Sequence, residues 1–175
     1  MITIINGHPR SGKSQFVEYC REVSKSGVVL EYSTVDFVKE LAVECGWDGT
    51  KDPKNRKFLS DLKDLLTEWN DVPFKKSKQF IDVVHTLAEG EIMVFIHCRE
   101  PKEIQKFVDH YGKDKCITLR IQRPSVDGDD QSNHADAQVD EYDYDLTVIN
   151  DGTLDELKEA ARMYITNYLG EKVLK

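Results

Sequence analysis

Gly7-His8-Pro9-Arg10-Ser11-Gly12-Lys13-Ser14 fits the spacing G-x-x-x-x-G-K-[ST] without deviation. Each fixed position has a physical reason. The two glycines let the backbone curl until consecutive N–H groups converge on one anion. A helix that opens near Lys13 points its positive dipole end at the same place. The Lys13 ammonium then reaches the β- and γ-phosphates of a nucleoside triphosphate, and the Ser14 hydroxyl is placed to ligate Mg²⁺. The flanks agree, since the β-rich run Ile2-Thr3-Ile4-Ile5 precedes the loop and a helical pattern follows it. Average composition makes a chance match in a chain of this length roughly a one-in-a-hundred event. Gly7, His8, Pro9, Arg10, Ser11, Gly12, Lys13 and Ser14 are therefore candidates for holding a triphosphate, with Ser14 the candidate metal ligand.

Outward from the loop, strand-like and helix-like segments alternate. Helical patterning is expected over 14–25, 36–45 and 54–70, around Phe80 to Leu87, over 101–111, and from Thr153 to about Tyr168. The clearest is 54–70, where Phe58, Leu59, Leu62, Leu65, Leu66 and Trp69 recur at i, i+3, i+4 and i+7. Its Phe58 and Trp69 read as core rather than as a stacking platform, because they share the apolar face. Strand candidates are 2–5, 28–32, 92–96, 117–121 and 146–149. The unbroken apolar run Ile92-Met93-Val94-Phe95-Ile96 suits a strand buried on both faces. Thr153-Leu154-Asp155-Glu156 has the form of a capping box. Strands alternating with helices predict βαβ units and an α/β fold built on a parallel sheet.

Composition bounds the function. The chain has 175 residues, 39% of them hydrophobic, and a formal net charge of −8, which suits one compact domain. The acidic balance argues against a nucleic-acid polymer as partner. No apolar run approaches the ~20 residues that span a bilayer, and no basic segment with a long apolar stretch opens the chain, so no membrane association and a cytoplasmic location are expected. Cys20, Cys45, Cys98 and Cys116 lack metal-site spacing and read as reduced thiols. From Ser125 to Asp145 there is no Lys or Arg but there are eight acids, which marks a surface loop or flap.

The absence of an Asn-Lys-x-Asp guanine pattern, the small size and the acidic flap suit a kinase of a small metabolite, in which Mg²⁺ and arginines stabilise the transferring phosphoryl group. Parallel sheets put ligands beyond their strand ends. Arg99 follows one strand, Arg123 follows another, and Arg120 lies within the latter; with Lys13 they are the catalytic candidates.

Three further segments carry a family resemblance. His97-Cys98-Arg99-Glu100-Pro101-Lys102-Glu103 is similar to the strand-end Asp-x-Arg-x-x-x-Glu segment of the bacteriophage deoxynucleoside monophosphate kinases. Arg120-Ile121-Gln122-Arg123-Pro124 resembles their Val-x-Arg-Pro segment, and Asp145 to Leu157 resembles their final strand with its Asn-Asp-Gly turn. These kinases are related in fold to adenylate kinase and animal phosphomevalonate kinase. The resemblance implies a three-layer fold with a five-stranded sheet ordered 2-3-1-4-5, an acceptor-binding helical insertion over about 46–90 and a lid over about 125–145. It implies ATP-dependent phosphorylation of a nucleoside monophosphate. Arg56, Lys57 and Arg99 are its implied acceptor-binding residues, and Asn150 and Asp151 border the adenine; Asp36, just after the second strand, is a further substrate-binding candidate or an acid at a helix N-terminus. A monomer or homodimer is expected. A kinase of phosphomevalonate or dephospho-coenzyme A, and a nucleotide-binding regulatory protein with little turnover, are the alternatives. Two positions depart from the family. His97 stands where it has an acid, and a neutral imidazole cannot supply that charge. His134 is followed three residues later by Ala137 where the family has Glu. His85 and His110 read as ordinary helix-surface side chains.

Overall fold

The computed structural model describes residues 1–24, 27–50, 52–126 and 138–169. Asp127, Asp129, Asp130, His134, Asp136 and Ala137 of the expected flap lie outside the described residues. Five strands, β1 (Ile2–Asn6), β2 (Val28–Ser33), β3 (Ile92–His97), β4 (Cys116–Gln122) and β5 (Leu146–Ile149), form one sheet in the order β2-β3-β1-β4-β5. β1 runs parallel to both β3 and β4, and β4 runs parallel to β5. The expected order and parallel class are therefore observed. The described residues hold six α-helices: α1 (Lys13–Val23), α2 (Asp36–Glu44), α3 (Pro53–Asn70), α4 (Val72–Leu87), α5 (Pro101–Tyr111) and α6 (Leu154–Leu169). None is long and apolar enough to cross a membrane.

Two compact units result, Met1–Glu31 with Ala88–Lys175, and Tyr32–Leu87. In the first, side-chain alternation sorts the sheet into two faces. Ile5, Met93, Phe95, Leu119 and Ile121 pack with Phe16, Val17 and Cys20 of α1 and Leu157, Ala161, Tyr164 and Ile165 of α6. The Tyr164 ring stands edge-on to Phe16 at 5.7 Å, and its hydroxyl bonds the buried Thr3 hydroxyl at 2.8 Å. The opposite face carries Ile4, Val94, Ile96 and Thr118, all buried, and α5 packs on this side with Ile104 and Phe107 inside. The expected capping box is present at the start of α6: Thr153 N–H donates to Glu156 Oε2 at 2.6 Å, and Glu156 N–H donates back to Thr153 Oγ1 at 3.3 Å.

The second unit packs α2, α3 and α4 together. Asp52 caps α3 by accepting from Asn55 N–H at 2.9 Å, and Asp71 ends it in the left-handed region at φ 54°. Pro73 lies in the first turn of α4, where its missing N–H costs nothing, so that helix begins two turns earlier than its apolar spacing suggests. Trp69 departs from the sequence reading: it is 73% exposed rather than core. It sits in the last turn of α3, outside the strip where α2 and α4 meet the helix.

Candidate active site

The loop after β1 takes the curled form its glycines allow. Gly7, Arg10 and Gly12 all have positive φ, at 146°, 64° and 100°. A Cβ on Gly7 would collide with the Ile121 carbonyl of β4, and one on Gly12 would collide with the Asn150 amide, so both neighbours close in on bare backbone. Ser11 N–H donates to the His8 carbonyl at 3.2 Å and closes the turn. Gly12 caps α1 in the left-handed region and no side chain caps that helix, which leaves its N-terminal dipole turned to the loop. Lys13 Nζ bends back and donates to the carbonyls of Gly7 at 2.6 Å and His8 at 2.8 Å. Ser11 Oγ is fully buried with no hydrogen-bond partner among the described residues. An orphaned buried hydroxyl is costly, and an anion drawn into the loop would satisfy it. The donor set therefore fits phosphate. Ser14 sits exposed in the first turn of α1; no cluster of three or more His, Cys, Asp or Glu among the described residues forms a metal site by itself. Mg²⁺ here would rest on Ser14 and on oxygens brought by the ligand.

The loop is braced from behind by residues its motif does not contain. Asn6 is fully buried. Its Oδ1 accepts the Gly7 N–H at 2.8 Å, and its Nδ2 donates to the Arg99 carbonyl at 3.1 Å and to the Tyr144 hydroxyl at 2.6 Å. Tyr144 in turn donates to the Val139 carbonyl at 2.9 Å. Burial pushes the Tyr144 phenol up to about 12, with the Asn6 hydrogen bond opposing the rise. Asp140 bonds the Arg120 guanidinium and lies 3.4 Å from His8 Nε2. Asp145 fastens the same segment to β4 by accepting from Thr118 N–H and Oγ1 at 2.8 and 2.7 Å. The acid-rich stretch thus ends in three residues, Asp140, Tyr144 and Asp145, tied to the sheet and the loop.

The other candidates divide. Arg120 alternates with Leu119 and Ile121, so it leaves β4 on the α5 face, where Asp140 holds it. Arg99 follows β3 half-buried, and Arg123 follows β4 exposed. Asn150 works on the loop: its N–H donates to the Gln122 carbonyl at 2.7 Å and its Nδ2 to the Ser11 carbonyl at 2.8 Å. Asp151 is exposed in the turn before α6. In the other unit, Asp36 accepts from Ser33 N–H at 2.8 Å and pairs with Lys39 at 2.9 Å. Lys57 pairs with Asp61 at 2.7 Å, and Arg56 is exposed one turn into α3. His97 ends β3 beside Ile5 in register, and its Nε2 lies 3.1 Å from Glu31 Oε2 of β2. Glu31, Asn6, Asp140 and Tyr144 do not stand out in the sequence; none belongs to a motif, and their contacts with His97, with each other and with His8 span 66 residues or more, while Asp140 meets Arg120 across 20.

A parallel sheet ordered 2-3-1-4-5, with its glycine loop between the central strand β1 and α1, defines the P-loop kinase fold. Solved structures agree. TT1252 from Thermus thermophilus is similar with a TM-score of 0.55 and 17% identity, over 97% of this chain and 98% of that one. APE1195 is similar at 0.51 and 11%, over 97% and 96%. A sugar kinase from Janibacter sp. HTCC2649 is similar at 0.50 and 11%, over 96% and 93%. No protein-family model and no curated protein matches the chain. At these identities the likeness is one of fold.

Proposed function

We propose that this chain transfers the γ-phosphoryl group of ATP to a small-molecule acceptor. The observation that carries the reading is the loop: three positive-φ residues, Lys13 Nζ folded against the Gly7 and His8 carbonyls, and a buried Ser11 hydroxyl left for an anion. Lys13 and the loop amides would hold the β- and γ-phosphates. Arg99, with Arg123 or Arg120, would offset charge on the transferring group. Mg²⁺, when bound with Ser14 and the phosphates, would supply further positive charge at the leaving oxygens.

The resemblance supports a (deoxy)nucleoside monophosphate as acceptor, with Arg56 and Lys57 at its phosphate, Asp36 nearby, residues 46–90 as the acceptor-binding insertion and 125–145 as the lid. Asn150 and Asp151 would border the adenine. A cytoplasmic monomer or homodimer goes with that reading. A second reading, a nucleotide-binding regulatory protein with little turnover, is motivated by His97 standing where that family has an acid. ADP release from ATP and Mg²⁺, measured against deoxynucleoside monophosphates, the matching nucleosides, sugars, phosphomevalonate and dephospho-coenzyme A, tests the proposal. One acceptor should raise ADP release well above the rate in water. Tight ATP binding with no acceptor raising turnover would instead leave a nucleotide-binding regulatory protein.

A further inference from the structure

Helix α3 carries an apolar stripe that the packing of its own unit leaves partly open. Phe58, Leu62, Leu65 and Trp69 recur at i, i+4, i+7 and i+11, the spacing of a seam between paired helices. At 3.6 residues per turn the four fall within an arc of about 60°, and the stripe runs about 16 Å along the axis. α3 meets α2 and α4 on another side, marked by Lys63, its one buried residue. Lys63 stands about 130° around the helix from the middle of the stripe. Leu65 is 61% exposed and Trp69 73%, while Phe58 and Leu62 are half-buried. Single exposed apolar side chains are ordinary. A row of them along one line of a helix marks a surface that takes a partner.

The stripe reads the same in both directions. Phe58 lies as far before the midpoint between Lys63 and Asp64 as Trp69 lies after it, and Leu62 and Leu65 straddle that midpoint equally. A second α3 laid antiparallel about a two-fold axis at the midpoint would set Phe58 against Trp69 and Leu62 against Leu65. Each pair would then occur twice, as a two-fold interface requires. Charge selects the same direction. Lys54, Arg56 and Lys57 lie near the start of α3, and Asp61, Asp64 and Glu68 follow; the first turn holds no acid and the last turn no base. That order opposes the dipole of a lone helix. In a parallel pair, like charges would face each other at both ends. An antiparallel pair brings the basic start of each helix beside Glu68 of the other and lets the two dipoles cancel. Lys57 pairs with Asp61 of its own helix at 2.7 Å, so exposed Lys54 and Glu68 are the charges set to meet across the seam.

We propose that two copies of this chain associate through α3, antiparallel, with Phe58, Leu62, Leu65 and Trp69 as the seam. The proposal is independent of the phosphoryl-transfer reading. Four anchors per copy put the contact at the small end of specific interfaces, so the dimer should dissociate with a Kd of about 1–100 µM.

The test uses the full chain. Sedimentation velocity between about 1 and 500 µM, a range that brackets this Kd, should show monomer passing to dimer. Trp69 is one of two tryptophans, so emission should move to the blue over the same range. W69A and L65E should each weaken association about 30-fold or more. Both side chains are exposed, so melts at low concentration should stay within about 2 °C of wild type. E68K should weaken association about fivefold, and K54E in the same chain should restore it. Direction is read by cross-linking. C45S removes the exposed thiol, and the other three cysteines are buried. On that background L62C mixed with L65C should form a disulfide-linked pair on oxidation, and neither should cross-link alone. The proposal is overturned by a chain that stays monomeric throughout, which would leave the stripe to a different partner. It is equally overturned by a dimer that W69A and L65E leave intact, or by L62C or L65C linking to itself in preference to the mixture.

Discussion

Replacing Asn6 by Ala removes the side chain that joins the loop to the sheet and to the stretch before β5, and the cost can be worked out bond by bond. Asn6 is fully buried, and Gly7 N–H, which it accepts, is buried with it. Leaving that donor unpaired costs about 1–3 kcal/mol. The Arg99 carbonyl and the Tyr144 hydroxyl each lose one bond, but Tyr144 keeps its bond to the Val139 carbonyl and both residues are half-buried. Each should cost about 0.5–1.5 kcal/mol. The sum is about 2–6 kcal/mol, centred on about 4, and at roughly 2–4 °C per kcal/mol for a chain of this size the central value lowers Tm by about 8–16 °C. Tyr144→Phe deletes the bond from Asn6 and the bond to the Val139 carbonyl, about 1–3 kcal/mol together, and at the central value should lower Tm by about 4–8 °C. Because the two side chains touch, the double variant should lose about 1 kcal/mol less than the sum of the singles. Thermal melts followed by circular dichroism, with and without tripolyphosphate, give all four values. Tripolyphosphate should stabilise wild type more than Asn6→Ala, since ligand stabilisation falls as affinity falls. A Tm for Asn6→Ala within about 2 °C of wild type, or strict additivity with Tyr144→Phe, would refute the argument that Asn6 braces the loop.

Lys13→Ala should leave the fold intact, because the ammonium bonds loop carbonyls and not the core, while phosphoryl transfer falls by several orders of magnitude; unchanged rate and ATP affinity would sink the loop assignment. Gly7→Ala should cost about 2–5 kcal/mol, from a φ that L-residues avoid and from collision with the Ile121 carbonyl, and a melt within about 2 °C of wild type would count against it. Burial raises the Tyr144 phenol from 10.0 to about 12 and also raises that of Tyr164, so the folded state keeps them neutral where the unfolded chain ionises. Stability should therefore be full below about pH 10 and fall as pH climbs through the window up to about 12; alkaline melts should show the fall and Tyr144→Phe should lessen it. Arg99→Ala and Arg123→Ala should lower kcat more than they weaken ATP binding, and equal losses with kcat unchanged would make them binding residues only.

Why some elements were legible and others were not follows from the range of the interactions that hold them. The loop, the capping box at Thr153 and the limits of α5 and β5 depend on neighbours within a few residues, so their spacing carries the whole physical constraint. The sheet order needed more than spacing, because alternation of strand and helix implies a parallel sheet without ordering its strands; the order came with the resemblance. Trp69 was misread for a related reason. Periodicity shows which residues share a face of α3, but not how far along the helix that face is covered, and the helix outruns its cover before Asp71 turns the chain. Pro73 does not interrupt α4, because a proline ends a helix only when it is internal and in the first turn it has no bond to forfeit.

The braces behind the loop were illegible for a different reason. Asn6 reads as the residue that ends a strand, Tyr144 as part of a polar loop, and Asp140 as one acid among eight. Asn6 and Tyr144 acquire their roles only when the fold joins them across 138 residues, and Asp140 meets His8 across 132. Glu31 is the sharpest case. Within Val28-Val29-Leu30-Glu31-Tyr32 a glutamate looks like the solvent side of an alternating strand. His97 looks like the loss of an acid. Only the adjacency of β2 and β3 joins the two, and then the change at position 97 is no simple deletion of charge. A carboxylate still serves the end of β3, supplied from the neighbouring strand and joined to it through an imidazole that can exchange a proton.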